Sequence, residues 1–141
     1  MKTQNEEIGA LVRNVFSGHP GPFRPCAYFD DRLDCIRVIA GDCSVLETRV
    51  NEVLTVLADN YYAESGRRKY VGFTLKGARH FCEQHGFDLV TPIKVSQLLD
   101  AIIAAFPDPA VEIFVDGIAR PLVKDEKIDQ VDVSDALPQP A

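Results

Sequence analysis

The segment LDCIRVIA, residues 33–40, constrains the fold most, because in an extended conformation it is apolar on both sides. Only Asp34 and Arg37 interrupt the apolar pattern. A strand that is apolar on both faces has to be covered on both faces, so we expect it in the interior of a sheet. Buried charges are usually paired or functional. The two charged residues are therefore candidates for acid–base chemistry. Alternatively, Arg37 emerges at a sheet edge or bonds a carboxylate on a neighbouring strand.

The chain around this strand predicts a hairpin followed by a helix. The hairpin covers about residues 26–40, with its turn at Asp30–Arg32. After it, Ser44 and Glu47 have the spacing of a capping box, which is typical of a helix N-terminus. Apolar residues then recur at helical spacing, so we predict an amphipathic helix over about residues 44–58.

The rest of the chain predicts further helices and a second hairpin. Asp116-Gly117 is the dipeptide best suited to a two-residue turn, and it predicts a hairpin over about residues 111–123. The segment Tyr70–Leu75 is either a short strand or the entry to a helix with Thr74 as its cap, and the strand is favoured. Helices are predicted by apolar periodicity over residues 5–16, 76–85 and 96–106.

These elements predict an α+β fold, with an antiparallel sheet built from the two hairpins and covered by amphipathic helices. At 141 residues the chain is expected to form one domain, over residues 1–123. Residues 124–141 are acidic and end in prolines, so we expect a largely disordered C-terminal tail there.

Charge is the most informative functional feature of the sequence. The net charge of −6 argues against nucleic acid as the main partner. Residues 61–94 reverse the sign, with six basic and three acidic side chains. The sequence offers three interpretations of this segment: an anion-binding site near a helix N-terminus, charges solvated at the surface, or charges paired with the acidic tail. The candidate ligand-binding residues are Arg67, Arg68, Lys69, Lys76 and Arg79.

A second constellation suggests thiol chemistry. Cys82 and His85 are three residues apart and share one face of a predicted helix, as an activated thiol or a metal pair would require, and His80 is a weaker partner. The alternative is that Cys82 belongs to the core and that the helix dipole favours a histidine at the C-terminal end. The spacing of the four cysteines predicts no metal site, and no cofactor motif is found.

The sequence favours a small cytoplasmic binding or interaction module, and the alternative is a small enzyme using a Cys/His pair. No apolar run is long enough for a membrane span, and the N-terminus has no apolar signal core. The expected partners are an anionic small molecule or an acidic protein surface. The helix at residues 96–106 is almost entirely apolar, so we expect a homo-oligomer formed through this helix or through a sheet edge.

Overall fold

The computed structural model describes residues 23–65 and 68–133. The helix predicted over residues 5–16 and the site candidate Arg67 lie outside this part of the chain, as do residues 134–141. The described chain has an α+β fold with a seven-stranded sheet. Its strands are β1 (Cys26–Asp30), β2 (Cys35–Ile39), β3 (Val45–Arg49), β4 (Leu54–Asp59), β5 (Tyr70–Lys76), β6 (Ile93–Lys94) and β7 (Gln130–Asp132).

The helical segments connect or follow these strands. They are α1 (Tyr62–Ser65), α2 (Ala78–Gln84), α3 (Val95–Ala105), α4 (Pro109–Phe114) and α5 (Arg120–Asp125), and a π-helical turn (Val115–Ala119) joins α4 to α5.

The strand order is β3-β4-β5-β2-β1-β7-β6, and all neighbours are antiparallel except β1 and β7. The strand predicted from residues 33–40 is β2, and it lies in the middle of the sheet between β5 and β1. Its central position is confirmed, because three strands lie on each side of it and it forms no edge of the sheet.

Side chains point alternately to opposite sides along each strand, so the sheet has two faces. Ile36 and Val38 of β2 belong to the same buried cluster as Phe73 and the apolar residues of α2, α3 and α4. The ring of Phe73 meets that of Phe114 edge to face, with 5.3 Å between the ring centroids. This side of the sheet is the helical face. The residues that alternate with them, among them Cys35 and Arg37, lie on the opposite side, which we call the second face.

The prediction of a helix over residues 44–58 is wrong, because β3 and β4 form an antiparallel hairpin there. The side chain of Asn51 holds the turn by accepting hydrogen bonds from the backbone N–H groups of Val53 and Leu54, at 2.9 and 2.7 Å. The carbonyl of Ser44 accepts a bond from the N–H of Asn60 at 2.9 Å, so this residue continues the ladder of the hairpin. The segment is rich in β-branched residues, which favour strands.

The hairpin predicted over residues 111–123 is also wrong, because the chain is helical from Pro109 to Asp125. The carboxylate of Asp108 accepts a hydrogen bond from the N–H of Ala110 at 2.9 Å and caps the helix, with proline at the first helical position. Pro121 is the second residue of α5, just beyond the π-helical turn. A wider turn at this point accommodates a residue that has no N–H to donate.

The remaining elements lie close to their predicted positions. Tyr70–Leu75 is within the strand β5, and the helices predicted over 76–85 and 96–106 correspond to α2 and α3. Residues 124–133, placed in the tail by the sequence, contain the end of α5 and the strand β7. Val131 is fully buried and pairs with Ala27 of β1, which ties this segment to the sheet.

Replacing Gly72 by Ala should lower the free energy of unfolding by about 2 kcal/mol, within the range of overpacked sites. A β-carbon at Gly72 would collide with the backbone carbonyl of Val38 on the adjacent strand. Gly117→Ala is the matched control, because a β-carbon there has no neighbour within 4 Å. Helix propensity predicts that this control gains up to about 1 kcal/mol. Urea unfolding followed by circular dichroism measures both, and equal stability of the two variants would contradict the close β2–β5 approach.

Candidate functional site

The second face of the sheet carries a line of polar side chains at one register level. We call this line the polar row. Because neighbouring strands are about 4.8 Å apart, directly paired residues on one face are within reach of one another. From β3 to β7 the polar row consists of Arg49, Thr55, Thr74, Arg37, Tyr28 and Asp132.

The centre of the polar row is buried, although it is on the side of the sheet opposite the helical core. Thr55 and Thr74 are only 6% and 7% exposed. Their apolar neighbours on the same face, Cys35 and Leu57, are buried as well. None of these four residues belongs to the cluster that packs the helices on the sheet. The surroundings of Thr55 and Thr74 are therefore of low polarity, and electrostatic interactions there are stronger than in water.

Arg37, which is half-buried, lies at the centre of this row. Its Nε is buried and has no hydrogen-bond partner in the described chain. By contrast, Arg68, Arg79 and Arg120 form ion pairs with carboxylates. A buried charged donor without a partner costs about 1–3 kcal/mol or more, so its retention in the centre of a sheet needs a reason.

Thr74 pairs with Arg37 across β2 and β5, and it also has a buried polar atom without a partner. Its Oγ1 is buried and lacks a hydrogen-bond partner. On the other side of Arg37, the hydroxyl of Tyr28 completes a set of neighbouring donors. Burial raises the pKa of Tyr28, and Arg37 partly opposes this shift. The phenol therefore stays protonated at neutral pH and is a hydrogen-bond donor there.

This arrangement suits an anion that carries several oxygen atoms. A carboxylate or phosphate group accepts several hydrogen bonds at once, and bonds from a guanidinium to such a group are about twice as strong as neutral ones. Arg37 would supply the charge, while the hydroxyls of Thr74 and Tyr28 would bind the remaining oxygens.

The described members of the predicted basic set, Arg68, Lys69, Lys76 and Arg79, lie along β5 and the start of α2. Arg68 precedes β5 and Lys76 ends it, and a strand of seven residues separates its ends by about 20 Å. The guanidinium of Arg68 contacts Asp125 and Glu126 at 3.2 and 3.3 Å. Arg68 therefore fits the interpretation in which a basic residue pairs with acidic residues after position 123.

Arg79 is held by the turn between β1 and β2. Its guanidinium forms an ion pair with Asp31 and lies 3.9 Å from a carboxylate oxygen of Asp34. Its backbone N–H donates to the same Asp34 carboxylate at 2.9 Å, so the first turn of α2 already has an anion. The guanidinium also lies over the ring of Phe29, 5.4 Å from its centroid.

Lys69 lies near two aromatic rings, with its Nζ 5.3 Å from the centroids of Tyr62 and Tyr70.

A cleft of about 570 Å³ lies beside Arg68, and three carboxylate residues line it together with this guanidinium. Its acidic residues are Asp42, Asp59 and Glu126. The cleft is thus unfavourable for an anion.

The Cys/His pair has the chemistry of a core residue next to a helix end. Cys82 is 1% exposed, and burial raises the pKa of its thiol to about 11, helped by Asp34. An activated thiol needs the opposite shift. The ring of His85 packs on Phe81 with 4.4 Å between centroids, while His80 is exposed.

Within the described ranges, no cluster of three or more His, Cys, Asp or Glu side chains is arranged to hold a metal ion. None of the helices in that part of the chain has the length and apolar character needed to cross a membrane. Comparison with family models, with curated proteins and with solved structures gives no match to this chain. The candidate site therefore depends on its own geometry.

The sequence gives a signal for Arg37 of this candidate site and none for its partner on β5. Arg37 was recognised as a charge that interrupts an apolar strand, which is the signal of a buried functional residue. Thr74 was considered only as a helix cap. The pairing that joins these residues spans 37 positions of the chain and leaves no trace in local periodicity.

Iodoacetamide should alkylate Cys35 and Cys82 in the folded protein about 100-fold more slowly than free cysteine near pH 8. Their pKa values of about 11, against an ordinary value of 9.0, leave about 100-fold less thiolate. Mass spectrometry of the peptides that contain each cysteine gives the rates, and the denatured protein provides the control. Faster alkylation of Cys82 than of free cysteine would contradict its burial and favour the Cys/His enzyme.

Proposed function

We propose that this protein is a small cytoplasmic binding module without catalysis of its own, and that it recognises an anionic carboxylate or phosphate group on the second face of the sheet. Arg37 provides the positive charge of the site, and Thr74 and Tyr28 provide neutral donors. The observation that carries the proposal is the pair of buried, unpartnered polar atoms on adjacent strands, Nε of Arg37 and Oγ1 of Thr74.

Energetics support a ligand at this place. An unsatisfied buried donor lowers stability, and a ligand that accepts its hydrogen bond restores the loss on binding. The same groups would contribute little on an open surface, where water competes for them. The polar row therefore has the property expected of a preorganised binding site, in which the unfavourable groups are held in position by the fold before the ligand arrives.

The thiols support the proposed compartment and the absence of catalysis. All four cysteines are free, as in a reducing compartment. The two fully buried ones, Cys35 and Cys82, have pKa values raised by burial and hold no activated thiolate.

Titration with inorganic phosphate should shift the side-chain Nε–H resonance of Arg37 in a saturable way. The matched substitution Arg37→Gln should weaken phosphate binding at least tenfold, because it removes the charge of the site. Acetate serves as the second probe and tests whether a carboxylate is preferred. Nuclear magnetic resonance with labelled arginine side chains measures both titrations in the wild type. Backbone amide shifts measure phosphate binding to Arg37→Gln, which lacks the Arg37 resonance.

The control for this titration is Arg120→Gln. Arg120 forms ion pairs with Asp100 and Asp116 and is a helix residue, so its loss should leave phosphate binding unchanged. Saturable shifts at Arg68 or Arg79 in place of Arg37 would contradict the proposed site and favour the basic segment instead.

Thr74→Val should separate binding from stability. Valine has nearly the shape of threonine and lacks the hydroxyl that has no partner in the free protein. We expect the free energy of unfolding to stay equal or to rise by about 1 kcal/mol, while phosphate binding weakens about three- to tenfold. Urea unfolding and the phosphate titration test the two effects. A clear loss of stability would show that the hydroxyl has a structural role, and would count against the site.

A further inference from the structure

The strand β3 is an edge of the described sheet and faces water. Four of its five residues are exposed, including the apolar Leu46, and only Val45 is half-buried. The opposite edge is β6, which has two residues. An exposed edge of five residues presents unpaired backbone donors and acceptors that another strand can engage.

The hydrogen bonds of the β3–β4 hairpin determine which backbone groups point outward. The N–H of Val50 donates to the carbonyl of Leu54, and the carbonyl of Ser44 accepts from the N–H of Asn60. In an antiparallel pair, every second residue bonds to the partner strand. The even-numbered residues of β3 therefore face β4, and the backbone groups of Glu47 and Arg49 point away from the sheet.

The sequence of β3 is complementary to itself in one antiparallel register. If a two-fold axis passes through Thr48, Glu47 of one copy lies opposite Arg49 of the other, and the reverse pair forms as well. Both residues carry outward-pointing backbone groups, so each pair exchanges two backbone hydrogen bonds. In the same register, Leu46 lies opposite the half-buried Val50, on the helical face.

We propose that β3 pairs with β3 of a second copy of this chain in this register, forming a two-fold symmetric dimer with one continuous sheet. Four backbone hydrogen bonds and two Glu47–Arg49 ion pairs hold the strands together. Opposite charges directly across two strands stabilise the pair, and like charges destabilise it. The apolar contacts at Leu46 extend the helical core across the interface. A contact of one strand is smaller than a standard interface, so the dimer depends on concentration.

Charge exchange at β3 provides the test. Sedimentation equilibrium of the full chain from micromolar to millimolar concentration should show a monomer–dimer equilibrium. Glu47→Arg and Arg49→Glu should each raise the dimer dissociation constant at least tenfold, because each places like charges opposite one another. An equimolar mixture of these two variants should dimerise as the wild type does, since their charges are then complementary, and the double variant E47R/R49E should do the same.

The matched control is Glu112→Arg, which makes the same charge change at an exposed position of α4 and should leave the dissociation constant unchanged. Circular dichroism verifies that every variant is folded. A wild-type protein that stays monomeric at millimolar concentration would overturn the proposal. A dimer whose dissociation constant is the same in the wild type and in Glu47→Arg would also overturn it, and would favour association through α3. Neither result affects phosphate binding at Arg37, which is tested separately.

Discussion

The close antiparallel pairing of β2 with β5 is the constraint on which the rest of this structure depends. Gly72 lies against the backbone of Val38, so the two central strands approach one another where no side chain separates them. Their register sets Val38 beside Phe73 on the helical face. By the strict alternation of a strand, the same register sets Arg37 beside Thr74 on the other face. Core and candidate site are thus two consequences of a single alignment.

The distribution of ion pairs in the described chain is the reverse of what stability alone would favour. Arg68, Arg79 and Arg120 have carboxylate partners near the surface, where an ion pair contributes at most about 1 kcal/mol. The guanidinium for which a partner would matter most is that of Arg37, whose Nε is buried and unsatisfied. A sequence shaped by stability alone would replace it with an apolar residue, as the rest of β2 suggests. Binding of an anion gives a physical reason for its presence.

Local pattern predicted the elements whose periodicity fits only one structure. Residues 33–40 are apolar on both faces and became the central strand, and the nearly apolar segment 96–106 became α3. The failures lie where one pattern fits two periods. In residues 44–58 helical spacing coincides with β-branched residues, and the Asn51 turn decides for strands. In residues 111–123 the Asp-Gly dipeptide suggested a hairpin, while the capped start at Asp108 and the apolar spacing fit a helix. Of the candidate site, only Arg37 could be predicted from the sequence, because the pairing of distant strands that brings Thr74 beside it has no local signal.

The polar row and the edge strand are connected through Arg49. This residue ends the row on β3, and its charge is exposed in a single copy. In the proposed dimer, Glu47 of the partner copy forms an ion pair with Arg49. Arg37 then remains as the cation of the row whose Nε has no hydrogen-bond partner in the described chain. Pairing at the edge would therefore leave the charge that the anion site uses unchanged, so that the dimer and the anion site can be tested independently.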